Sequence, residues 1–271
     1  MAGGLPAPLT RASCFDFAGI RIAFECSDER WLASLSQRFE GFATDAAPVL
    51  TIRYLAVEDA APPLESPFPA LRVTTHGPGN RDTIELAGPA FTATANLAAA
   101  IVTIRGPRHV YPVNMVLRQL LPLLLGDGVV MHTAVVTDAR RAWACTGPSG
   151  CGKTTLARLL APHALCDEMA ALVLTGDKVE ARALPYWEGR PGAARLAGIY
   201  LLRHGPEHHR TPVAREAAMM ALVGQMVWPT LSEEAMARSF AALAEIVVRV
   251  PTWELAFAPR PEVADLIMRE A

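Results

Sequence analysis

The chain has no Cys-x-x-Cys pair, no surplus of either charge and no long uninterrupted apolar run, and each absence removes a class of protein. Its five cysteines, Cys14, Cys26, Cys145, Cys151 and Cys166, are odd in number and unpaired in spacing. That pattern argues against both a zinc site and a disulfide framework, and fits a reducing, cytoplasmic compartment. Lysine and arginine total 25 against 27 aspartates and glutamates, a formal charge of −2, so no basic field is expected to hold a nucleic acid or an anionic membrane. The greasiest stretch, Val110 to Val136, is broken by Arg118, Gln119, Asp127 and His132, and Met1 to Asp16 carries no basic segment leading into an apolar one. Neither membrane spanning nor export is therefore expected. What the chain does have is 51% apolar residues over 271 positions. At roughly 150 residues per domain this predicts a globular protein of just under two domains.

Periodicity divides the chain near residue 110. Before it, Cys14–Phe17 and Ile20–Cys26 alternate as a hairpin about Ala18 and Gly19, and Trp31, Leu32, Leu35 and Phe39 recur at helical spacing after a Ser27 or Asp28 cap. Leu50, Ile52 and Tyr54 alternate again. Ala60 to Pro69, with four prolines, reads as a loop, and short strand-like runs follow near Leu71, Ile84, Phe91 and Ile101. Residues 1–109 are thus predicted to form a mostly antiparallel α+β domain. Residues 110–271 begin with a helical stripe of Val113, Val116, Leu117, Leu120, Leu121 and Leu124, followed by a hairpin of Gly128–Val136 and Arg141–Thr146. Strands are expected at Ala164–Cys166, Ala170–Thr175, Val179–Leu184, Ile199–Leu202 and Trp253–Phe257. Helices are expected after Thr211 and Pro212, after a Ser232 cap with Met236, Phe240, Leu243 and Val247 as its stripe, and after Pro261.

Between the second strand of that hairpin and the next helix, Gly147, Pro148, Ser149, Gly150, Cys151, Gly152, Lys153 and Thr154 spell G-x-x-x-x-G-K-[ST] in full. An ordinary glycine turn needs neither the lysine nor the threonine. In a nucleotide-binding loop each residue type has work: glycines let backbone N–H groups turn toward a β-phosphate, Lys153 reaches the β/γ-phosphates, Thr154 offers its hydroxyl to Mg²⁺, and Thr155 continues the helix start. Cys151 reads as a small filler of this loop.

Asp167 and Glu168 come next. A helix of about nine residues from Lys153 rises roughly 13 Å, and a strand of about four residues returns a similar distance. A crossover into a neighbouring strand would bring both carboxylates to the phosphate end, one to hold Mg²⁺ and one to take the proton of an attacking hydroxyl. Asp167 is the favoured base, with Glu168 the alternative. His132, in the strand before the loop, could orient one of these acids. His204, His208 and His209 are placed on a loop by Gly205 and Pro206, without ligands to complete a zinc site, and read as surface or substrate-side residues.

The chain lacks the Leu-Ser-Gly-Gly-Gln of transporter ATPases and the Asn-Lys-x-Asp of GTPases, and its loop stands too late for the nucleoside-monophosphate and shikimate-like kinases. The loop spelling is similar to AAA+ ATPases, but the second acidic strand and arginine fingers of that family have no counterpart. Met131-His132-Thr133-Ala134-Val135, then Gly147 through Ala157, then Leu165-Cys166-Asp167-Glu168 after a short helix together resemble the HPr kinase/phosphorylase family. The resemblance extends more weakly through Leu184-Pro185-Tyr186-Trp187 and Leu196–Leu202, over about residues 110 to 260, and includes the shorter kinases that tailor ribosomally made peptides such as lasso peptides. The family often carries Asp-Asp where this chain has Asp167-Glu168. The resemblance implies an α/β P-loop catalytic domain that uses ATP and Mg²⁺ to phosphorylate a hydroxyl, with Lys153, His132, Asp167 and Glu168 catalytic and Thr154, Asp167 and Glu168 holding metal. The expected acceptor is a serine of a peptide or protein. A small-molecule kinase and a nucleotide-gated ATPase or GTPase switch are the alternatives, and self-association is left open. Glu188, Arg190 and Arg195 are the residues expected to line the acceptor side.

Overall fold

A computed structural model of the protein describes residues 10–57, 71–75, 83–186 and 189–268. The proline-rich stretch and the Trp187–Glu188 pair fall outside the described residues. The chain is mixed α/β, with two sheets and six α-helices among the described residues, and forms two compact units, Met1–Gln119 and Leu120–Ala271. The division falls inside the helix Val110–Leu124. Among the described residues no helix is long and apolar enough to cross a membrane.

The first unit is a seven-stranded sheet. β1 (Thr10–Phe17) and β2 (Ile20–Cys26) form the opening hairpin, whose turn places Ala18 and Gly19 at φ of 60° and 97°. Helix α1 (Glu29–Arg38) is capped by Asp28, whose Oδ1 accepts from the Trp31 N–H at 3.0 Å. The Arg108 side chain bonded to Asp28 holds its carboxyl below the usual range. β3 (Leu50–Ala56) then pairs parallel with both β2 and β7 (Ile101–Gly106). β4 (Arg72–Thr75), β5 (Thr83–Gly88) and β6 (Phe91–Asn96) complete an antiparallel meander onto β7. Four of the six pairings are antiparallel, and the two parallel ones arise because α1 and the β4–β6 meander act as crossovers. Phe15, Phe17, Phe24 and Phe39 are fully buried and in mutual ring contact, so much of the few aromatics the chain has is concentrated in this core.

The second unit begins with the end of α2 (Val110–Leu124) and is built on β8 (Gly128–Thr137), nearly all of whose residues are buried, as expected for a strand covered on both faces. β9 (Arg141–Thr146) pairs with β8 through a turn in which Asp138 Oδ1 accepts from the Arg140 and Arg141 N–H groups. The chain crosses through α3 (Lys153–Leu159) into β10 (Ala164–Cys166) and β11 (Met169–Thr175). β12 (Lys178–Ala183) and β13 (Ala193–His204) follow, and β13 runs parallel to both β9 and β15 (Thr252–Phe257).

Several expectations are corrected. The crossover after the phosphate loop does not enter the strand beside β9: β10 and β11 pair antiparallel with β8, so β8 stands between the loop strand and the acidic pair. Thr211 and Pro212 do not start a helix. They end β14 (His209–Pro212), because the chain first pairs with β15, and α4 (Arg215–Val223) begins after them. Helix α5 (Glu233–Arg249) is capped by Ser232, whose Oγ accepts from the Ala235 N–H, but its buried face is Ala235, Ser239, Ala242, Leu243, Ile246 and Val247. Phe240 is exposed, because the periodicity fitted two overlapping stripes and burial selected the one with smaller residues. α6 (Val263–Met268) follows Pro261, whose carbonyl accepts from the Ala264 N–H.

Candidate functional site: a glycine cradle and an acidic strand

Gly147, Gly150 and Gly152 hold φ of +150°, +81° and +106°, so the segment between β9 and α3 turns through conformations that side chains rarely adopt. Gly152 is the most constrained. A Cβ there would lie 2.7 Å from the Phe257 ring, on a residue already in the left-handed region. Gly152→Ala is expected to cost about 1–3 kcal/mol and to weaken nucleotide binding, checked by thermal melts and nucleotide titration against the parent.

Lys153 opens α3 yet is only 7% exposed. Its Nζ donates to the Gly147 carbonyl at 2.8 Å and the Pro148 carbonyl at 3.2 Å, with Cys151 Sγ at 3.8 Å. A buried ammonium has to be compensated, and here the loop's own carbonyls do so, which anchors the cation inside the loop. Thr154 and Thr155 are exposed on the first turn of the helix. Pro148, Ser149 and Gly150 form the exposed rim of the loop, and Cys151 is a buried packing residue in the core beneath it.

One of the three histidines expected on the surface or the substrate side also belongs here. His204 is the last residue of β13, not part of a loop, and β13 runs parallel to β9 with Leu201 opposite Thr146, so His204 reaches the level of the cradle. Its Nε2 lies 2.7 Å from the Gly150 carbonyl, and its ring is stacked on Phe257 at 6.4 Å. A carbonyl only accepts, so Nε2 carries the proton of this bond. The available signal was positional: a histidine directly after the apolar run Leu196–Leu202, at the carboxyl end of a strand parallel to the loop strand.

The acidic pair lies between β10 and β11. Cys166 opposes Val135 and Met169 opposes His132, so Asp167 and Glu168 continue the same register opposite Ala134 and Thr133, and the Thr133 N–H donates to the Glu168 carbonyl at 3.1 Å. Thr133 in turn opposes Thr146, the residue before the loop. The carboxylates and the cradle therefore stand at one level of the sheet, two strand spacings or roughly 10 Å apart along the backbone.

The two acids have different surroundings. Asp167 borders a cleft with Ala157 of α3. Glu168 Oε2 lies 3.8 Å from His132 Nε2. At that distance the two attract when the imidazole is protonated but are not hydrogen-bonded. The His132 carbonyl accepts from Thr146 Oγ1 at 2.7 Å, which ties the histidine strand to the loop strand. Both carboxylates are near enough to Cys166 to act on its thiol, which burial first and these charges next push up to about 12.

Arg190 donates through its N–H to the Leu165 carbonyl at 2.9 Å and borders the same cleft as Asp167. Arg195 does not join them: it opposes Arg141 at the start of β9, at the far end of the strand from the cradle. Glu188 lies outside the described residues. Among the described residues no three or more His, Cys, Asp and Glu side chains gather into a metal site. The Thr154 hydroxyl and the Asp167 and Glu168 carboxylates are oxygen donors, the type that Mg²⁺ takes, an ion that keeps several waters and takes its remaining ligands from phosphates. No family model and no curated protein matches the chain.

Proposed function

We propose that Leu120–Ala271 is an ATP- and Mg²⁺-dependent phosphotransferase of the HPr-kinase-like kind, moving the γ-phosphate to a hydroxyl, with a serine of a peptide or protein as acceptor. The observation that carries this reading is the common level of the Lys153 cradle and Asp167 on the side of the sheet that α3 covers.

In this reading the loop amides and Lys153 bind the β- and γ-phosphates, and His204 holds the Gly150 carbonyl turned outward. Bound Mg²⁺ supplies neutralisation of the phosphate charge, and Thr154 with the acidic pair would hold it. Asp167 accepts the proton of the acceptor hydroxyl as its oxygen bonds to the γ-phosphorus, and the bond from that phosphorus to the β,γ-bridging oxygen breaks to release ADP. Glu168, beside His132, is better placed to orient than to abstract.

Incubation with γ-labelled ATP, Mg²⁺ and either serine peptides or a cell extract tests the reading. Label on an acceptor supports it; label released only as free phosphate would instead identify a nucleotide-gated switch.

A further inference from the structure

Beside Asp167, an open cleft of about 200 Å³ is walled by Ala157 and Arg158 of α3, by Ala161 in the turn after it, by Ala164 and Cys166 of β10, and by Arg190. Its charges are unequal: two guanidiniums and one carboxylate. Arg190 is fixed at both ends, its backbone N–H on the Leu165 carbonyl and its Nη2 on the Ala161 carbonyl, so the guanidinium reaches the turn that follows α3. Arg158 stands on the last turn of α3.

We infer that this cleft is an anion subsite of the acceptor: the hydroxyl that receives phosphate belongs to a molecule that also carries a carboxylate or phosphate, which Arg158 and Arg190 bind while the hydroxyl faces Asp167. The inference rests on the phosphotransferase reading for the word acceptor, but the anion site itself does not. Planar guanidiniums present paired N–H donors that match carboxylate and phosphate oxygens, and a neutral acceptor would leave the net positive lining uncompensated. At about 200 Å³ the cleft is smaller than the roughly 300–1,000 Å³ of drug-sized ligand sites, which suits one small anionic group rather than a whole substrate. Two sources share this chemistry: a small hydroxy acid, or an acidic residue flanking a serine in a peptide.

Two measurements test it separately from the kinase reading. Calorimetric titration of Lys153→Ala protein with inorganic phosphate reads the cleft with the loop cation removed. Binding is expected there, and is expected to weaken at least about tenfold when Arg158→Gln and Arg190→Gln are added. Arg195→Gln, on a residue far along β13, is the control expected to change nothing. Absence of phosphate binding in Lys153→Ala, or binding indifferent to the two arginines, overturns the inference whether or not the protein transfers phosphate. In the transfer assay, glycerate is compared with glycerol, and acetyl-glutamyl-serine amide with its glutaminyl counterpart. A preference for the charged member of either pair, lost in the arginine variants, supports the inference and identifies the source; preference for the neutral members contradicts it. Phosphate binding without label on any acceptor would leave the anion site standing and remove the phosphotransferase.

Discussion

Lys153→Ala lowers phosphoryl transfer by roughly 10³-fold and weakens nucleotide binding, because one side chain supplies the only cation of the loop itself. The same substitution withdraws the donor from the Gly147 and Pro148 carbonyls. Some of the loss is therefore structural, and thermal melts together with circular dichroism of the variant measure how much. Lys153→Arg does not restore activity, since a planar guanidinium with its fixed fork of donors does not fit a site where the ammonium is 7% exposed and seated against two carbonyls. Near-parental turnover in either variant, with the fold intact, would remove Lys153 from the chemistry.

Asp167→Asn keeps nucleotide affinity within about threefold and lowers turnover by roughly 10² to 10⁴, the worth of a positioned general base. The amide preserves the shape of the side chain, replaces one acceptor oxygen with an NH₂ donor and cannot take a proton at neutral pH. Glu168→Gln serves as the comparison. Glu168 lies beside His132, whereas Asp167 borders the cleft under α3, so the loss at Glu168 is expected to be smaller than that at Asp167 and to be mirrored by His132→Ala. Equal losses at both acids would assign the pair a shared role instead. Single-turnover kinetics separate these outcomes, because they isolate the transfer step from product release.

The contrast between these two carboxylates marks the limit of what could be read from the chain alone. The cradle was legible, since Gly147 through Thr154 have a spelling that only one backbone path satisfies and the flanking residues alternate and then recur as strand and helix must. The β8–β9 hairpin and the Ser232 cap were legible for the same local reason. Asp167 and Glu168 could be placed near the phosphate end from helix rise and strand rise, yet their separate neighbours could not be read. Those depend on pairing against β8, a partner about 35 positions earlier in the sequence, and on the register shift between Ala164 and Cys166. The intervening strand was missed because helix and strand lengths alone do not tell which edge a crossover returns to. His204 was missed because its role comes from a parallel pairing of β13 with β9, over 50 residues apart, which no local pattern encodes. Thr211 and Pro212 carried a sound helix-start signal that tertiary pairing with β15 overrode.

The central claim is that the cradle and Asp167, one strand apart, act on a single nucleotide-bound cation. Electron paramagnetic resonance of Mn²⁺, a spectroscopic substitute for Mg²⁺, titrated into the protein with and without ADP, tests it most directly. The account predicts that ADP tightens Mn²⁺ binding at a single site and that Asp167→Asn combined with Glu168→Gln abolishes the tightening while ADP still binds. Mn²⁺ binding that tightens equally with ADP in the parent and in the doubly substituted protein would contradict it, since the metal would then be held without either acid.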